Sequence, residues 1–260
     1  MIYDAFLFNG EHDVLEIRLA TLASIVERFI LVEANVAFNG RPLVPAFAGS
    51  ELAKRYGDKI IRVLVDDVPD TGPDNWARER FIRNAIVRGL DAVHSDSLVV
   101  VSDADEIPDP AKLAEQIPGA FRCQVSRFWL NAVEKEDYWF GSVMLHSFYV
   151  KAYGAEHLRT RRFDYNHIEP GGWHFTHIMS EEQIREKLRM GSHSEWSSKE
   201  QQEEVLRCRK NLTAFHAHHH KLTVTDIAGG YFPQYLKDNM ARFQQFIHAP
   251  VTEAPCQLSK

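Results

Sequence analysis

The first half of the chain alternates short apolar runs with segments whose apolar residues recur at helical spacing. The apolar runs predict four β-strands, at residues 3–8, 28–33, 59–65 and 98–102. Helical periodicity covers residues 13–26 and 75–93. Because strands that alternate with helices require crossover connections, this pattern predicts an α/β fold in which helices flank a mixed, mostly parallel central sheet.

The second half of the chain has longer runs that are rich in aromatic residues. These runs predict strands at residues 121–133, 142–150 and 173–178, and helices at residues 181–189 and 199–212. The sequence has no internal repeat, low-complexity tract or linker long enough to divide it. We therefore predict one domain over residues 1–260, with one half at 1–108 and a second half at 109–250 that includes a helical carboxyl-terminal part.

The composition narrows the class of protein. A net charge of -6 and a pI near 6.1 argue against nucleic acid as the main partner, because phosphate binding needs a basic face. The apolar stretches have the length of strands, so no transmembrane segment is predicted, while peripheral membrane contact stays open. The start of the chain lacks the basic segment of a signal peptide, and three scattered cysteines do not make a disulfide framework. We therefore expect a cytoplasmic protein.

The strand predicted at 98–102 stops abruptly at the acidic motif Asp103-Ala-Asp105-Glu106. Carboxylates at the carboxyl end of a buried strand lie where open α/β sheets bind ligands, and two of them can share Mg²⁺ or Mn²⁺ with a nucleoside diphosphate. We expect Asp105 to bind the metal directly, and Asp103 to reach it through water or to bind the ribose of the nucleotide. Glu106 either fills a third ligand position or orients the nucleotide, and its alternative is a cap of the following helix near Pro108. The alternative for the whole motif is a strand that ends in an Asx-turn.

Two other predicted strands also end in polar residues. Asn9 and Glu11 follow the first strand, and Glu33 ends the second. In a nucleotide-binding half-sheet such side chains commonly hold ribose or base hydroxyls, so we place these three in the donor site. Their alternatives are a turn for Asn9 and a favourable helix-dipole charge for Glu11. Residues 1–108 are therefore interpreted as the nucleotide-binding half and residues 109–250 as the acceptor half.

Several segments together resemble glycosyltransferase family 17. In order, from about Ile2 to about Ile247, they are Asp4-Ala-Phe-Leu-Phe-Asn9-Gly-Glu11, Leu15-Glu-Ile-Arg18-Leu, Phe29-Ile-Leu-Val-Glu33, Phe38-Asn-Gly-Arg-Pro-Leu, Trp76 with Glu79 and Arg83, Ser102-Asp-Ala-Asp-Glu-Ile-Pro108 and Gly171-Gly-Trp-His174. The resemblance implies an inverting sugar-nucleotide transferase with a GT-A-like fold and Mn²⁺ or Mg²⁺ at the acidic motif. It also implies UDP-N-acetylglucosamine as the donor. The acceptor is not identified, and we expect a glycan or lipid-linked glycan, with bacterial surface polysaccharide as one candidate.

The resemblance gives roles to residues outside the acidic motif. Trp76, Glu79 and Arg83 lie on one predicted helix, with Glu79 and Arg83 four positions apart on one face. Such a pair is normally a helix stabiliser. Here it is expected at the donor site, where Arg83 offers a planar fork of donors to the base or the diphosphate. His174 is expected to complete the metal shell after a tight turn at two glycines, with His193 as the alternative.

An inverting transfer needs a carboxylate base that removes the proton of the acceptor hydroxyl. The candidates downstream of the motif are Glu134, Glu136, Asp137 and Glu195. Glu195 is the first choice because His193 stands close enough to tune its pKa, and Asp137 is the second.

Other aromatic and histidine residues have a structural interpretation beside the functional one. Trp129, Trp139 and Trp173 either stack on sugars or belong to the core. The run from His216 to His220 has the composition of a metal tract, but it lies outside the matched segments, and we assign it no catalytic role.

Two further functions stay open at the level of sequence. A metal-dependent phosphatase or nucleotidyltransferase would use the same pair of acids, but it would need further acids or a second metal cluster close by. A non-catalytic sugar-binding protein would keep the aromatic residues without needing ordered acids at two strand ends. Stabilisation by UDP that requires Mn²⁺ would favour the transferase over the sugar-binding protein.

Overall fold

A computed structural model of the protein describes residues 1–215 and 220–250, apart from the side chains of residues 136 and 137. Its strands are β1 (Ile2–Leu7), β2 (Arg28–Ala34), β3 (Ile60–Val65), β4 (Leu98–Asp103), β5 (Glu106–Pro108), β6 (Gly119–Arg127), β7 (Ala132–His146), β8 (His167–Thr176) and β9 (Thr223–Val224). They form one sheet in the order β3-β2-β1-β4-β7-β6-β8-β5, with β9 paired to β7.

The α-helices in the described ranges are α1 (His12–Leu22), α2 (Glu51–Tyr56), α3 (Asn75–Asn84), α4 (Pro110–Ala114), α5 (Ser147–Tyr153), α6 (Ala155–Thr160), α7 (Glu181–Met190), α8 (Lys199–Asn211) and α9 (Gln234–Asp238). Short 3₁₀-helices lie at Gly57–Lys59, Ala85–Leu90, Arg162–Asp164, Ser194–Trp196 and Met240–Phe246. None of the helices in this part of the chain combines the length and the apolar character that a bilayer crossing requires.

Both faces of the amino-terminal strands are packed against helices. Successive side chains of a strand point to opposite faces, so neighbouring residues of β1 enter different cores. Phe6 packs in the cluster that contains Leu15 of α1, whereas Ala5 packs in the cluster that contains Ile82 of α3. A strand that is buried on both faces reads as a continuous apolar run, which is why the sequence pattern located β1, β2 and β4.

The predicted α/β fold with a central sheet and flanking helices is confirmed, and one part of it needs correction. The four predicted amino-terminal strands agree with β1 to β4 to within one residue at each end. Strands β1 to β4 pair in parallel, but the sheet as described has four parallel pairs and four antiparallel pairs. The expectation of a mostly parallel sheet was wrong, because β5, β7 and β9 run against their neighbours.

Two strands predicted in the second half end earlier than expected. The strand predicted at 121–133 stops at Arg127, since Phe128 adopts a left-handed backbone with φ 65° that extended strands do not contain. The strand predicted at 142–150 is the end of β7 followed by α5. The aromatic residues Phe148 and Tyr153 of α5 are exposed. An aromatic-rich segment was therefore mistaken for a strand, whereas the predicted helices at 181–189 and 199–212 match α7 and α8.

The glycine pair before His174 does not form the predicted turn. Gly171 and Gly172 lie inside β8, where Gly172 pairs with Pro108 of β5. Gly172 has φ 131°, and a Cβ atom at this position would lie 2.2 Å from the carbonyl oxygen of Ile107. The missing side chain therefore lets β5, which directly follows Asp105, pair closely with the strand that carries His174.

Candidate active site

The acidic motif lies at the carboxyl ends of the central parallel strands. Leu7 of β1 is in register with Asp103 of β4, so the loop after β1 lies beside the motif. The buried Arg18 of α1 fixes the backbone there, because its guanidinium donates to the carbonyl oxygens of Asp103 at 2.9 Å and Glu106 at 2.8 Å. Asp4 accepts from the same guanidinium at 2.8 Å. Arg18 is thus a positioning residue that holds the motif in a fixed shape.

One set of residues around the motif is fully connected by charged hydrogen bonds; we call Arg83, Asp103, Glu106 and Arg159 the arginine side. Asp103 accepts from Arg83 at 3.1 Å and from Arg159 at 2.8 Å, each through a different carboxylate oxygen. Burial alone would raise the pKa of Asp103, but Arg159 and Arg83 outweigh it and lower that pKa far below its usual range. Asp103 is therefore ionised and held by protein cations.

Glu106 belongs to the same network and is buried. Arg159 donates to both of its carboxylate oxygens at 2.7 Å, the backbone N–H of Asp103 donates to it at 2.8 Å, and the indole N–H of Trp139 donates to it as well. The expectation that Glu106 caps a helix was wrong, because Asp109 caps α4. With its oxygens occupied by Arg159 and Trp139, Glu106 orders the motif.

The other set is more loosely connected; we call Glu11, Asp105, His174 and Lys187 the lysine side. The ammonium group of Lys187 on α7 lies 3.2 Å from Glu11 and 3.6 Å from Asp105. Burial would lower the pKa of Lys187, but Glu11 and Asp105 outweigh it and raise that pKa, so the ammonium stays charged. Burial raises the pKa of Asp105, which Lys187 and His174 offset only in part.

His174 faces Asp105 from β8. Its Nε2 atom lies 3.8 Å from Oδ1 of Asp105, and its buried Nδ1 atom has no hydrogen-bond partner. Burial lowers the pKa of His174, with Asp105 acting in the opposite direction, so the imidazole is neutral at pH 7. A neutral imidazole and a carboxylate at this separation fit two ligands of one divalent cation. Among the described residues, no group of three or more His, Cys, Asp or Glu side chains could hold a metal ion.

A cleft of about 210 Å³ opens beside the lysine side. Its walls come from three segments, namely residues 9–13 after β1, the loop containing Ala37, Phe38 and Leu43, and residues 178–191 with most of α7. Glu11 and Lys187 line it. The cleft therefore lies at the carboxyl ends of parallel strands, which is where α/β folds bind nucleotides.

A family model for glycosyltransferase family 17 matches residues 1–213. The chain belongs to this family. The predicted family is therefore confirmed.

The relatives named beta-1,4-mannosyl-glycoprotein 4-beta-N-acetylglucosaminyltransferase, from Rattus norvegicus and Homo sapiens, are each 27% identical over 115 residues. These residues are 41% of this chain and 21% and 22% of the relatives, so the match spans about a fifth of their length. Two structures of the glycosyltransferase GlyE of Streptococcus pneumoniae TIGR4 are 12% and 14% identical, with TM-scores of 0.33 and 0.30. They cover 65% and 74% of this chain and 44% and 41% of those chains.

Of the predicted residues of α3, Glu79 and Arg83 belong to the network of the arginine side. Glu79 accepts from Arg83 at 3.1 Å and also accepts from the hydroxyl of Ser192. Trp76 packs edge-on against His193, with ring centroids 4.7 Å apart. His193 therefore lies against α3 and not with Asp105, so the alternative that it completes the metal shell loses its support.

Glu195, the first candidate for the base, lies in the same segment. Its carboxylate is 2.6 Å from Nδ1 of His193, and its side chain is 59% exposed. Slight burial would raise the pKa of Glu195, but the hydrogen bond to His193 outweighs it and lowers that pKa, so the carboxylate is ionised at neutral pH. The hydrogen bond from Ser192 to Glu79 attaches this segment to the arginine side.

The remaining predicted residues have different placements. Glu33 is buried, and its carboxylate accepts from the backbone of Ala46 and Phe47 at 2.6 and 2.8 Å and from Arg62 at 2.7 Å. It holds a loop, and we leave it out of the donor site. Asn9 lines the cleft. The side chain of Asp137, the second candidate for the base, and residues 216–219 of the histidine run lie outside the described residues.

Sequence reasoning did not assign a role to several charged residues of this site. Arg18 stood inside a helical pattern, where a charged residue is expected to be exposed. Arg159 and Lys187 lie on α6 and α7, far along the chain from the motif. Glu156, whose pKa is raised by burial despite Arg83 3.5 Å away, is a further carboxylate beside the arginine side. The signal that could have been used is the surplus of acids at the strand ends, which requires cations from elsewhere.

Proposed function

We propose that the chain is a metal-dependent inverting glycosyltransferase that moves N-acetylglucosamine from UDP-N-acetylglucosamine to a glycan or lipid-linked glycan. The observation that carries this proposal is the lysine side, where Asp105, His174 and Lys187 meet beside a cleft at the carboxyl ends of parallel strands. The names of the rat and human relatives support N-acetylglucosamine as the transferred sugar.

Different residues bind different parts of the donor. The cleft takes the nucleoside, and Lys187 at its wall donates to the diphosphate oxygens once these replace its contacts to Glu11 and Asp105. Asp105 and His174 would hold the cation, and the nitrogen ligand favours Mn²⁺ over Mg²⁺. When bound, this cation neutralises charge on the departing diphosphate. Two protein ligands leave further positions for phosphate oxygens and water.

The transfer itself exchanges one bond for another. The acceptor oxygen forms a bond to the anomeric carbon, and the bond from that carbon to the phosphate oxygen breaks, with its electron pair leaving on the diphosphate. The proton of the acceptor hydroxyl passes to a carboxylate, for which we propose Glu195. Ionisation and exposure of Glu195 suit this task, since the group must meet a substrate from solvent.

The observations favour the transferase over the alternative functions. A two-metal phosphatase would require a second set of acids, and the described residues hold no cluster of three or more potential metal ligands. A sugar-binding protein has no use for a half-buried lysine that bridges Glu11 and Asp105. We propose the cytoplasm as the compartment, in line with the free thiols of Cys123 and Cys208 among the described cysteines.

The test measures thermal stabilisation by UDP with and without Mn²⁺. Wild type should gain stability from UDP only when Mn²⁺ is present, and Asp105→Asn should lose this gain while its own melting temperature stays close to wild type. Asp96→Asn is the matched control, because Asp96 is 81% exposed near the opposite end of β4. Full metal-dependent stabilisation of Asp105→Asn, or stabilisation by free N-acetylglucosamine without metal in place of UDP, would contradict the proposal.

A further inference from the structure

Arg162 is a cation next to the active site that has no anionic partner among the described carboxylates. Its guanidinium packs over the rings of Trp139 at 5.3 Å and Phe163 at 4.7 Å, and it donates to the carbonyl oxygen of Arg159 at 2.7 Å. Its Nε atom is buried without a hydrogen-bond partner, and none of the described carboxylates lies within ion-pair distance of it. Arg161 beside it is paired with Asp164.

The positive charge of Arg162 is not neutralised by any of the described carboxylates. Burial lowers the pKa of Arg162 and the like charge of Arg159 lowers it further, while the more distant Glu106 and Asp103 offset this only in part. A half-buried guanidinium is costly unless its donors are matched. The two aromatic faces hold it in one orientation, so its unused donors point to a fixed place.

Arg162 lies on the acceptor side of the active site. The cleft is lined by Glu11 and Lys187, and Lys187 contacts Asp105, which faces His174. The His174 ring lies 5.3 Å from the ring of Trp139, and Trp139 contacts Arg162. Along this series of contacts Arg162 is at the end opposite to the cleft, and it does not line the cleft. With the nucleoside in the cleft, the acceptor is the substrate that reaches this end.

We propose that Arg162 binds an anionic group, a phosphate or a carboxylate, that the acceptor carries close to the hydroxyl that reacts. Phe163, which is 60% exposed, and Trp139 provide the apolar surface on which an acceptor sugar ring packs beside that anion. This inference rests on the proposed transferase function and narrows its acceptor to an anionic glycan. A phosphate would come from a lipid-linked glycan, and a carboxylate would come from an acidic sugar.

Three monosaccharide probes separate these cases. Methyl β-glucuronide carries a carboxylate, glucose 1-phosphate carries a phosphate, and methyl β-glucoside is neutral. Their binding to the full chain is measured by calorimetry or ligand-observed NMR with UDP and Mn²⁺ present, so that the donor site is filled. We expect wild type to bind at least one anionic probe about tenfold more tightly than the neutral one. The preferred anion identifies its source in the acceptor.

Substitutions then assign this preference to Arg162. Arg162→Gln should remove the preference while leaving the neutral probe and UDP unaffected. Arg161→Gln is the matched control and should keep the preference, because Arg161 is 61% exposed and already paired. Arg162→Lys keeps the charge but loses the planar fork, so it should retain part of the preference. If the melting temperature of Arg162→Gln shows that it does not fold, Arg162→Lys and the loss of the wild-type preference at high salt provide the test.

Each contrary result overturns the inference in a recognisable way. Equal affinity of wild type for all three probes, or a preference that survives Arg162→Gln, rules out the anion site. An equal loss of UDP affinity in Arg162→Gln assigns Arg162 to the donor. If UDP fails to bind wild type while the preference for anionic probes depends on Arg162, the anion site stands and the proposed function fails.

Discussion

The arginine side and the lysine side of the acidic motif use the same kinds of residues, but they are held differently. On the arginine side both carboxylate oxygens of Asp103 accept hydrogen bonds from guanidinium groups at 3.1 and 2.8 Å. On the lysine side the contacts of Asp105 are 3.6 and 3.8 Å, beyond hydrogen-bonding distance, and Nδ1 of His174 has no partner. The protein therefore satisfies one side by itself and leaves the other incomplete.

This difference indicates which acid binds ligands. A saturated network fixes the position of its members, whereas an incomplete one keeps capacity for a substrate or an ion. Asp103 thus positions the motif between Arg83 and Arg159, and we expect Asp105 to be the acid that binds the cation and the donor. The predicted contact of Asp103 with the metal through water, or with ribose, stays a prediction. Its direct binding to a cation would require it to give up an arginine.

The largest expected effect concerns Glu195, the proposed base. Ser192 donates to Glu79, so the segment that carries Glu195 is docked on the arginine side, whereas the proposed donor site is at the lysine side. Because a base acts only in the transition state, Glu195→Gln should lower turnover by roughly two to four orders of magnitude with donor affinity nearly unchanged. Steady-state kinetics and UDP titration measure the two quantities.

The control for this variant is Glu200→Gln, since Glu200 is an exposed acid in the first turn of α8. It should keep normal turnover. Normal turnover of Glu195→Gln would move the base elsewhere, and a loss in Asp137→Asn or Glu156→Gln would then identify it. Loss of donor affinity in Glu195→Gln would place Glu195 in the donor site instead.

The second prediction concerns Arg18, which holds the backbone of the acidic motif between the two sides. Arg18→Met should lower the free energy of unfolding by about 3–5 kcal/mol, because it leaves the buried Asp4 and the carbonyl oxygens of the motif without their donor. Chemical denaturation measures this loss. Arg242→Met is the control and should cost less than about 1 kcal/mol, because Arg242 is 50% exposed in its pairs with Asp13 and Glu16. A similar loss in both variants would show that Arg18 has no special role.

Sequence reasoning located three of the four residues on each side and missed Arg159 and Lys187, for physical reasons. Asp103 and Asp105 follow a strand whose apolar run marks its end, and Glu79 and Arg83 share a helix face at a spacing of four residues. Both signals are local. Lys187 reaches Asp105 because α7 docks through its buried residues Ile184 and Leu188, and this docking depends on the second half of the fold. Periodicity within one segment contains no information about such a contact.

The same limit explains the errors in the sheet. The parallel strands were found because burial on both faces leaves a continuous apolar run. Strand β6 ends because Phe128 adopts a left-handed backbone conformation. Helix α5 carries exposed aromatic residues, and this residue type favours strands, so its sequence was mistaken for a strand. Residue type alone decides neither feature.

The third prediction compares the two acids directly. The pKa of Asp103 is lowered in the fold, so its charge stabilises the protein above the unfolded value of about 3.9, and this stability is lost as the pH falls. The pKa of Asp105 is raised, so ionisation costs stability as the pH rises. At pH 7 Asp103→Asn should lower the free energy of unfolding by about 1–2 kcal/mol, whereas Asp105→Asn should leave it unchanged or increase it. Denaturation at pH 7 and below pH 4 tests this, since the deficit of Asp103→Asn should shrink at low pH; equal losses would refute the comparison.

The smallest predicted effect is that of Lys187→Met, which should change the affinities for Mn²⁺ and for UDP in opposite directions. Lys187 neutralises Glu11 and Asp105, so its removal should strengthen the binding of Mn²⁺ alone several-fold. The same removal takes a donor from the diphosphate, so UDP affinity at saturating Mn²⁺ should fall about tenfold. Calorimetric titration measures both constants, with Lys54→Met as the control because Lys54 is 67% exposed in its pair with Glu51. A fall in both affinities would contradict this prediction. It would show that Lys187 stabilises the structure of the lysine side, and that it neither competes with Mn²⁺ for the acids nor donates to the diphosphate.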